Sequence, residues 1–195
     1  LRVRMPRQGR RSPSRPRAEQ TALAVYAHEL VVDEDLHAHE IQRFRRFCVA
    51  GPSGACTIFA GAIGDDGYGR FWLNRAGGPK VVRAQRFAYA LRHGRIGADV
   101  VAMHECDNPI CVCTDPGHVV AGTQADNLAH MGGKHRGGGS GWSRGGTGLD
   151  RAARRARAVA LRAAVADGWD DYRVQDALAT SMPGQGTLFD MRGER

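Results

Sequence analysis

Apolar positions recur at helical spacing in several places along the chain. Leu23, Tyr26, Ala27 and Leu30 predict a helix from about Glu19 to Leu30, and Leu36, Ile41, Phe44 and Phe47 predict a second from about Asp35 to Phe47. Further on the period shortens. Cys56-Thr57-Ile58-Phe59 reads as a strand, Gly64-Asp65-Asp66-Gly67 as a turn, and Tyr68-Gly69-Arg70-Phe71-Trp72-Leu73 as the hairpin partner of that strand. Arg83 to Leu91 is helical in pattern, and Val100-Val101-Ala102-Met103 is a short apolar strand ending at His104. Thr123, with Asp126 three residues on, predicts a helix N-terminus that places Asn127 in the first turn. Helices near 149–167 and 170–179, broken at Gly168-Trp169, follow from Val159, Leu161, Val165, Trp169, Val174 and Leu178.

Composition divides the chain. Residues 1–18, with seven Arg by position 17, no acid, and Pro6, Pro13 and Pro16, cannot bury apolar surface and read as a disordered basic arm. A helical segment over 19–53 and a chemistry-bearing domain over 54–136 follow. Nine glycines between 132 and 148 mark a linker, assigned to 137–148, before a C-terminal helical segment (149–180) that admits a helix-turn-helix-like DNA-reading arrangement, with Arg151, Arg154, Arg155 and Arg157 on phosphates. A tail, 181–195, ends the chain. No apolar run approaches the roughly 20 residues that span a bilayer and no signal-peptide pattern opens the chain, so the expected location is cytoplasmic, with no membrane partner.

Charge changes the picture. The net charge is +8, and 26 of the 28 basic residues are Arg. Basic blocks at 1–17, 67–98 and 130–157 alternate with acidic segments, a distribution that favours a polyanion touched at several places, double-stranded DNA above all. Solubility of an arginine-rich chain is the competing explanation, and nothing in the sequence excludes a homodimer.

The five cysteines are too few and odd in number for a disulfide scaffold. Cys106-x4-Cys111 and His118 have the spacing of zinc ligands, with Cys56 the best fourth, while Cys113 lies close enough to Cys111 to compete and Cys48 reads as a core thiol.

The run His104-Glu105-Cys106-Asp107-Asn108-Pro109-Ile110-Cys111, then Asp115-Pro116-Gly117-His118 and Gly122-Thr123-Gln124-Ala125-Asp126-Asn127, resembles the zinc-bound branch of the His-Me finger (ββα-metal, HNH-type) endonucleases, which includes homing and phage enzymes. The likeness begins at Cys56, includes Tyr68-Gly69-Arg70-Phe71 and fades near Arg136. It implies an α+β fold: a ββα-metal core with structural zinc, flanked by N-terminal helices and a C-terminal helical hairpin. It further implies a Mg²⁺-dependent DNA endonuclease of homing, phage or restriction type. His104 takes the role of general base, Asn127 of Mg²⁺ ligand, and Cys56, Cys106, Cys111 and His118 of ligands to structural Zn²⁺. Many relatives carry Asp before the catalytic His, where this chain has Met103, and His-Arg where it has Gln85-Arg86. Arg86 and its neighbour Arg83 are candidates to hold the scissile phosphate. The alternative from another class is a non-catalytic zinc-stabilised DNA-binding module. In the tail, Gln185, Leu188 and Phe189 resemble the short peptide with which bacterial replication proteins dock on the sliding clamp.

Overall fold

The computed structural model describes residues 28–133 and 151–180. The basic arm, most of the first predicted helix, the linker 137–148 and the tail with Gln185, Leu188 and Phe189 lie outside the described residues.

Nine short strands and five helices make up the described fold, an α+β arrangement of small antiparallel sheets. In chain order they are β1 (Leu30–Val31), α1 (Ala38–Arg45), β2 (Cys48–Ala50), β3 (Thr57–Phe59), β4 (Ala62–Ile63), β5 (Gly69–Arg75), β6 (Gly78–Arg83) and α2 (Ala84–His93). Then come β7 (Arg95–Ile96), β8 (Val101–His104), β9 (Val119–Gly122), α3 (Gln124–Gly133), α4 (Arg151–Ala164) and α5 (Asp171–Thr180).

Two expectations fail near the N-terminal end of this fold. Leu30, assigned to a helix by its spacing, sits in β1 opposite Ile96, and Val32 N–H donates to the Gly94 carbonyl at 2.8 Å. Leu30 and Val32 are buried while Val31 between them is exposed, so the period here is two and not 3.6. The flank over 28–53 thus holds one helix, α1, and two strands. Within the second predicted helix, Ile41 and Phe44 are buried as expected, whereas Leu36 is 82% exposed.

The strand 57–59 forms where predicted, but its partner is different. One edge of β3 pairs with β2, Cys48 opposite Phe59. The other is taken by the segment Ile110–Val112: Phe59 N–H donates to the Ile110 carbonyl and Val112 N–H to the Thr57 carbonyl, both at 2.8 Å. No edge is left for Tyr68–Leu73. The turn at Gly64–Gly67 instead closes β4 onto β5, and β5 runs on to pair with β6 from Arg70–Arg83 to Arg75–Gly78.

Two cores result. Phe44, Phe59, Phe71 and Phe87 form the centre of the first, with ring centroids 4.7–5.5 Å apart around Phe44 and edge-to-face contacts of the kind aromatic pairs prefer. The chain's N-terminal segment is tied to it by a two-point ion pair from Arg75 to the buried Glu40 (2.7 and 3.0 Å), and Arg75 Nη1 also reaches the Val31 carbonyl. Cys48 borders this core. Its Sγ donates to the Phe44 carbonyl at 3.3 Å and burial pushes its thiol up to about 12, the behaviour of a packing residue.

The second core joins α4 and α5 to the middle of the chain: Ala158, Leu161, Val165, Val174 and Ala177 pack with Ile58 and Ile110. A close backbone approach completes the docking of α4. Gly67 adopts φ +83°, and a Cβ there would lie 2.9 Å from the Arg154 backbone. Gly77 also has positive φ but faces open space. Gly77→Ala therefore pays backbone strain alone, about 1–2 kcal/mol, while Gly67→Ala adds the clash and loses more. Urea unfolding of the two variants should rank them in that order.

Candidate metal centre and the strand end at His104

The ligand set is assembled by a knuckle. Asp107 takes a left-handed conformation (φ +60°), and the buried Asn108 accepts from Ile110 N–H through Oδ1 and from Cys111 N–H through its carbonyl, each at 3.1 Å. This folds Cys106 and Cys111 back toward each other. The turn through Asp115, Pro116 and Gly117 (φ +86°) returns His118, and the start of β3 brings in Cys56 from fifty residues upstream.

The ligand atoms of Cys56, Cys106, Cys111 and His118 all lie within 4.8 Å of one another. His118 Nδ1 is 3.7 Å from Cys56 Sγ and 3.6 Å from Cys111 Sγ. Tetrahedral zinc, with Zn–S of about 2.3 Å and Zn–N of about 2.0 Å, sets S and N ligands about 3.6 Å apart. Hydrogen bonds from Cys106 and Cys111 hold the Cys56 thiol well below its ordinary value, while hydrogen bonds with Cys106 and Cys56 push Cys111 up. The cluster is compatible with structural zinc. Cys113 is outside it, its thiol directed at Asp115 Oδ2 (3.6 Å).

His104 ends β8, opposite Val119 on β9. Its Nε2 lies 2.9 Å from the Cys111 carbonyl. A carbonyl only accepts, so Nε2 carries the proton and Nδ1 the free lone pair. Burial, the largest influence, lowers its pKa below the ordinary histidine value, with a smaller push the same way from the Arg83 charge and opposing contributions from the Cys111 carbonyl, Cys106 and Asp107.

The predicted helix start is present. Thr123 N–H and Oγ1 donate to Asp126 Oδ2 at 2.8 and 2.7 Å, and Asp126 N–H returns a bond to Thr123 Oγ1 at 3.1 Å. Those bonds hold the exposed Asp126 carboxyl below its usual range. Asn127 sits half-buried in the first turn of α3, which packs on β8 and β9. Met103, at the position before His104, lies over Gly122, where an added Cβ would fall 2.6 Å from its methyl carbon.

The two arginines separate. Arg86 is 1% exposed, and its guanidinium donates to the carbonyls of Val100 (2.5 Å), Gly97 (2.5 Å) and His28 (3.0 Å). It braces the loop ahead of β8 from inside and is not placed to meet a phosphate, which corrects its assignment. Arg83 pairs with Asp66 Oδ2 at 2.9 Å and lies over the Tyr68 ring at 4.1 Å. Asp66 is a node that the sequence reading missed. It also holds Arg70 (2.8 Å), accepts from Tyr68 N–H (3.2 Å), and offers its carbonyl to Arg154 Nε (2.8 Å). Only its turn propensity is visible in sequence, because Arg83 and Arg154 are distant along the chain.

The C-terminal arginines are partly committed as well: Arg151 and Arg154 donate to the carbonyls of Asp65 and Asp66, and Arg155 faces Asp65 at 3.9 Å. Helix α5 carries Asp171 and Asp176 against Arg173, an acidic balance that does not suit a phosphate-facing reading helix.

Over 76 residues, 39% of this chain, the sequence is 36% identical to Protein 7.7 of Escherichia phage T7. The match takes in 54% of that protein, so the chain spans about half the length of this relative. No family model matches the chain, and no solved structure matches it. Among the described residues no helix is long and apolar enough to cross a membrane.

Metal analysis of the purified protein should find one zinc per chain. Cys111→Ser should lose it and unfold the middle of the molecule, while Cys113→Ser keeps it. Arg86→Met strands buried carbonyls and should cost about 3 kcal/mol or more in urea unfolding. Arg95→Met, at a 76% exposed side chain, should stay within about 0.5 kcal/mol of wild type.

Proposed function

We propose that the protein is a divalent-metal-dependent DNA endonuclease of the His-Me finger type, with His104 as general base. The observation that carries this reading is the hydrogen bond from His104 Nε2 to the Cys111 carbonyl at 2.9 Å. It fixes the tautomer and leaves Nδ1 as the acceptor. A general base needs an acceptor nitrogen held in a defined place, and His104 offers one at the end of β8, the strand on which helix α3 packs.

In the reaction, Nδ1 takes a proton from water as the water oxygen attacks phosphorus. The P–O3′ bond breaks, and the departing 3′ oxygen gains a proton from solvent, giving 5′-phosphate and 3′-hydroxyl ends. The Asn127 side-chain oxygen would hold the Mg²⁺, an ion that takes few protein ligands and keeps several waters. Such an ion, when bound, neutralises charge building on the phosphate and the leaving oxygen. With Met103 in place of a carboxylate, Asn127 and the substrate phosphate carry more of that task. Arg83, which lies over the Tyr68 ring that stacks on His104, is the candidate cation for the scissile phosphate. Double-stranded DNA is the substrate that the basic blocks of the sequence favour. The tail segment with Gln185, Leu188 and Phe189 belongs to this reading only as a proposed tether to a sliding clamp.

Supercoiled plasmid incubated with Mg²⁺ or with EDTA tests the reading. Wild type should nick or linearise it with Mg²⁺ only. His104→Ala should lower the cleavage rate by about 10²-fold or more and leave zinc content and DNA binding unchanged. Cleavage by His104→Ala within tenfold of wild type would overturn the assignment. Binding without cleavage by wild type would favour the alternative, a non-catalytic zinc-stabilised DNA-binding module.

A further inference from the structure

The ring of Tyr68 lies against His104. The two ring centroids are 5.9 Å apart with planes 21° from parallel, a stacked arrangement. Tyr68 is held from several sides. Its backbone N–H donates to Asp66 Oδ1 (3.2 Å) and its carbonyl accepts from Gly64 N–H (2.9 Å), so the turn fixes where the residue leaves the backbone. Its ring is contacted by two guanidiniums, Arg83 at 4.1 Å and Arg154 at 5.6 Å, both within cation–π range. Arg83 is anchored by Asp66 at 2.9 Å, and Arg154 by the Asp66 carbonyl at 2.8 Å. The following residue, Gly69, is also confined: a Cβ there would lie 2.7 Å from the Phe59 ring and 2.8 Å from Ala84.

A hydrogen bond through one ring nitrogen still lets an imidazole rock about that bond. Fixing its plane needs a second contact on its face. From this geometry we infer that Tyr68 is the positioning residue for His104, and that α4, through Arg154, is part of the apparatus that orients the base. The inference rests on the nuclease reading for its kinetic consequence, while the stack has a signature of its own. Tyr68 does not touch the reacting atoms. Its effect passes through the orientation of Nδ1, where a misplacement near 1 Å costs about 10²-fold in rate.

The test uses the full chain. In NMR spectra recorded without DNA, the imidazole C–H protons of His104 should be shifted upfield by the Tyr68 ring current, in wild type and in Tyr68→Phe alike. In Tyr68→Leu the shift should vanish. On plasmid with Mg²⁺, Tyr68→Leu should lower kcat by about tenfold to hundredfold with KM little changed, and Tyr68→Phe should restore wild-type kcat because the ring and not the hydroxyl makes the contact. Arg154→Gln should move the same His104 resonances and lower kcat in the same direction with zinc retained. Should Tyr68→Leu lose its zinc, Arg154→Gln and Tyr68→Phe decide the matter.

Zinc-loaded Tyr68→Leu with unchanged kcat, or Arg154→Gln with unchanged resonances and kcat, would overturn the inference and leave the nuclease reading intact. Full cleavage by His104→Ala would remove His104 as the base, and the kinetic role of Tyr68 with it, even with the ring-current shift in place.

Discussion

The backbone of Ile110–Val112 runs along the outer edge of β3, and Cys111 lies at the crossing, bridged to Ile58. Each group of this one residue has a separate commitment. Its N–H closes the knuckle on the Asn108 carbonyl, its sulfur joins the Cys3His cluster, and its carbonyl receives Nε2 of His104. The flanking Ile110 enters the core shared with α4 and α5, whereas Val112 enters the phenylalanine core. A shift in this segment would disturb the ligand cage, the strand end and both cores together. A small domain without disulfides gains most from such a crossing when a metal holds it, since binding then closes long stretches of chain at once.

The consequences spread outward from that crossing. With both edges of β3 occupied, Tyr68–Leu73 has to pair elsewhere, and the β4–β5–β6 sheet carries the 64–67 turn toward α4. Asp66 then collects charge from three elements: Arg70 on β5, Arg83 at the end of β6 and Arg154 on α4. Buried or half-buried guanidiniums are stabilised by such shared acceptors and by the Tyr68 ring, so these positive charges shape the strand end as well as adding to the overall positive field. The contrast between Arg83 and Arg86, three residues apart at the start of α2, shows how far location decides role. One faces Tyr68 and Asp66, and the other is enclosed by loop carbonyls.

Legibility from sequence was greatest where chemistry and local period coincide. The Cys106-x4-Cys111 pair, His118 and the Thr123–Asp126 cap all lie within about one turn or one knuckle of their partners, and each forms as read. The helices α2, α4 and α5 stand where their apolar positions place them, with boundary differences of a few residues. The readings that failed involve choices among distant partners. Leu30 belongs equally to a helical and to an alternating pattern until Ile96 and Gly94 are opposite it. The β3 strand was paired with the wrong segment because turn residues announce a turn and not which strands it joins. Arg86 looked like a surface cation because an arginine that satisfies itself on three carbonyls leaves no mark in composition.

What the sequence determined by itself was the donor set, the helix start that presents Asn127, and the apolar stripes of the helices, because each depends on residues a few positions apart, where steric and hydrogen-bonding rules act locally. The structure alone decided that Cys113 stays outside the cage, that His104 donates through Nε2 to the Cys111 carbonyl, and that Tyr68 lies against the imidazole. Those outcomes turn on which segments share an edge or a core, and that is settled by the competition of all segments for the same few strand edges and the same buried volume.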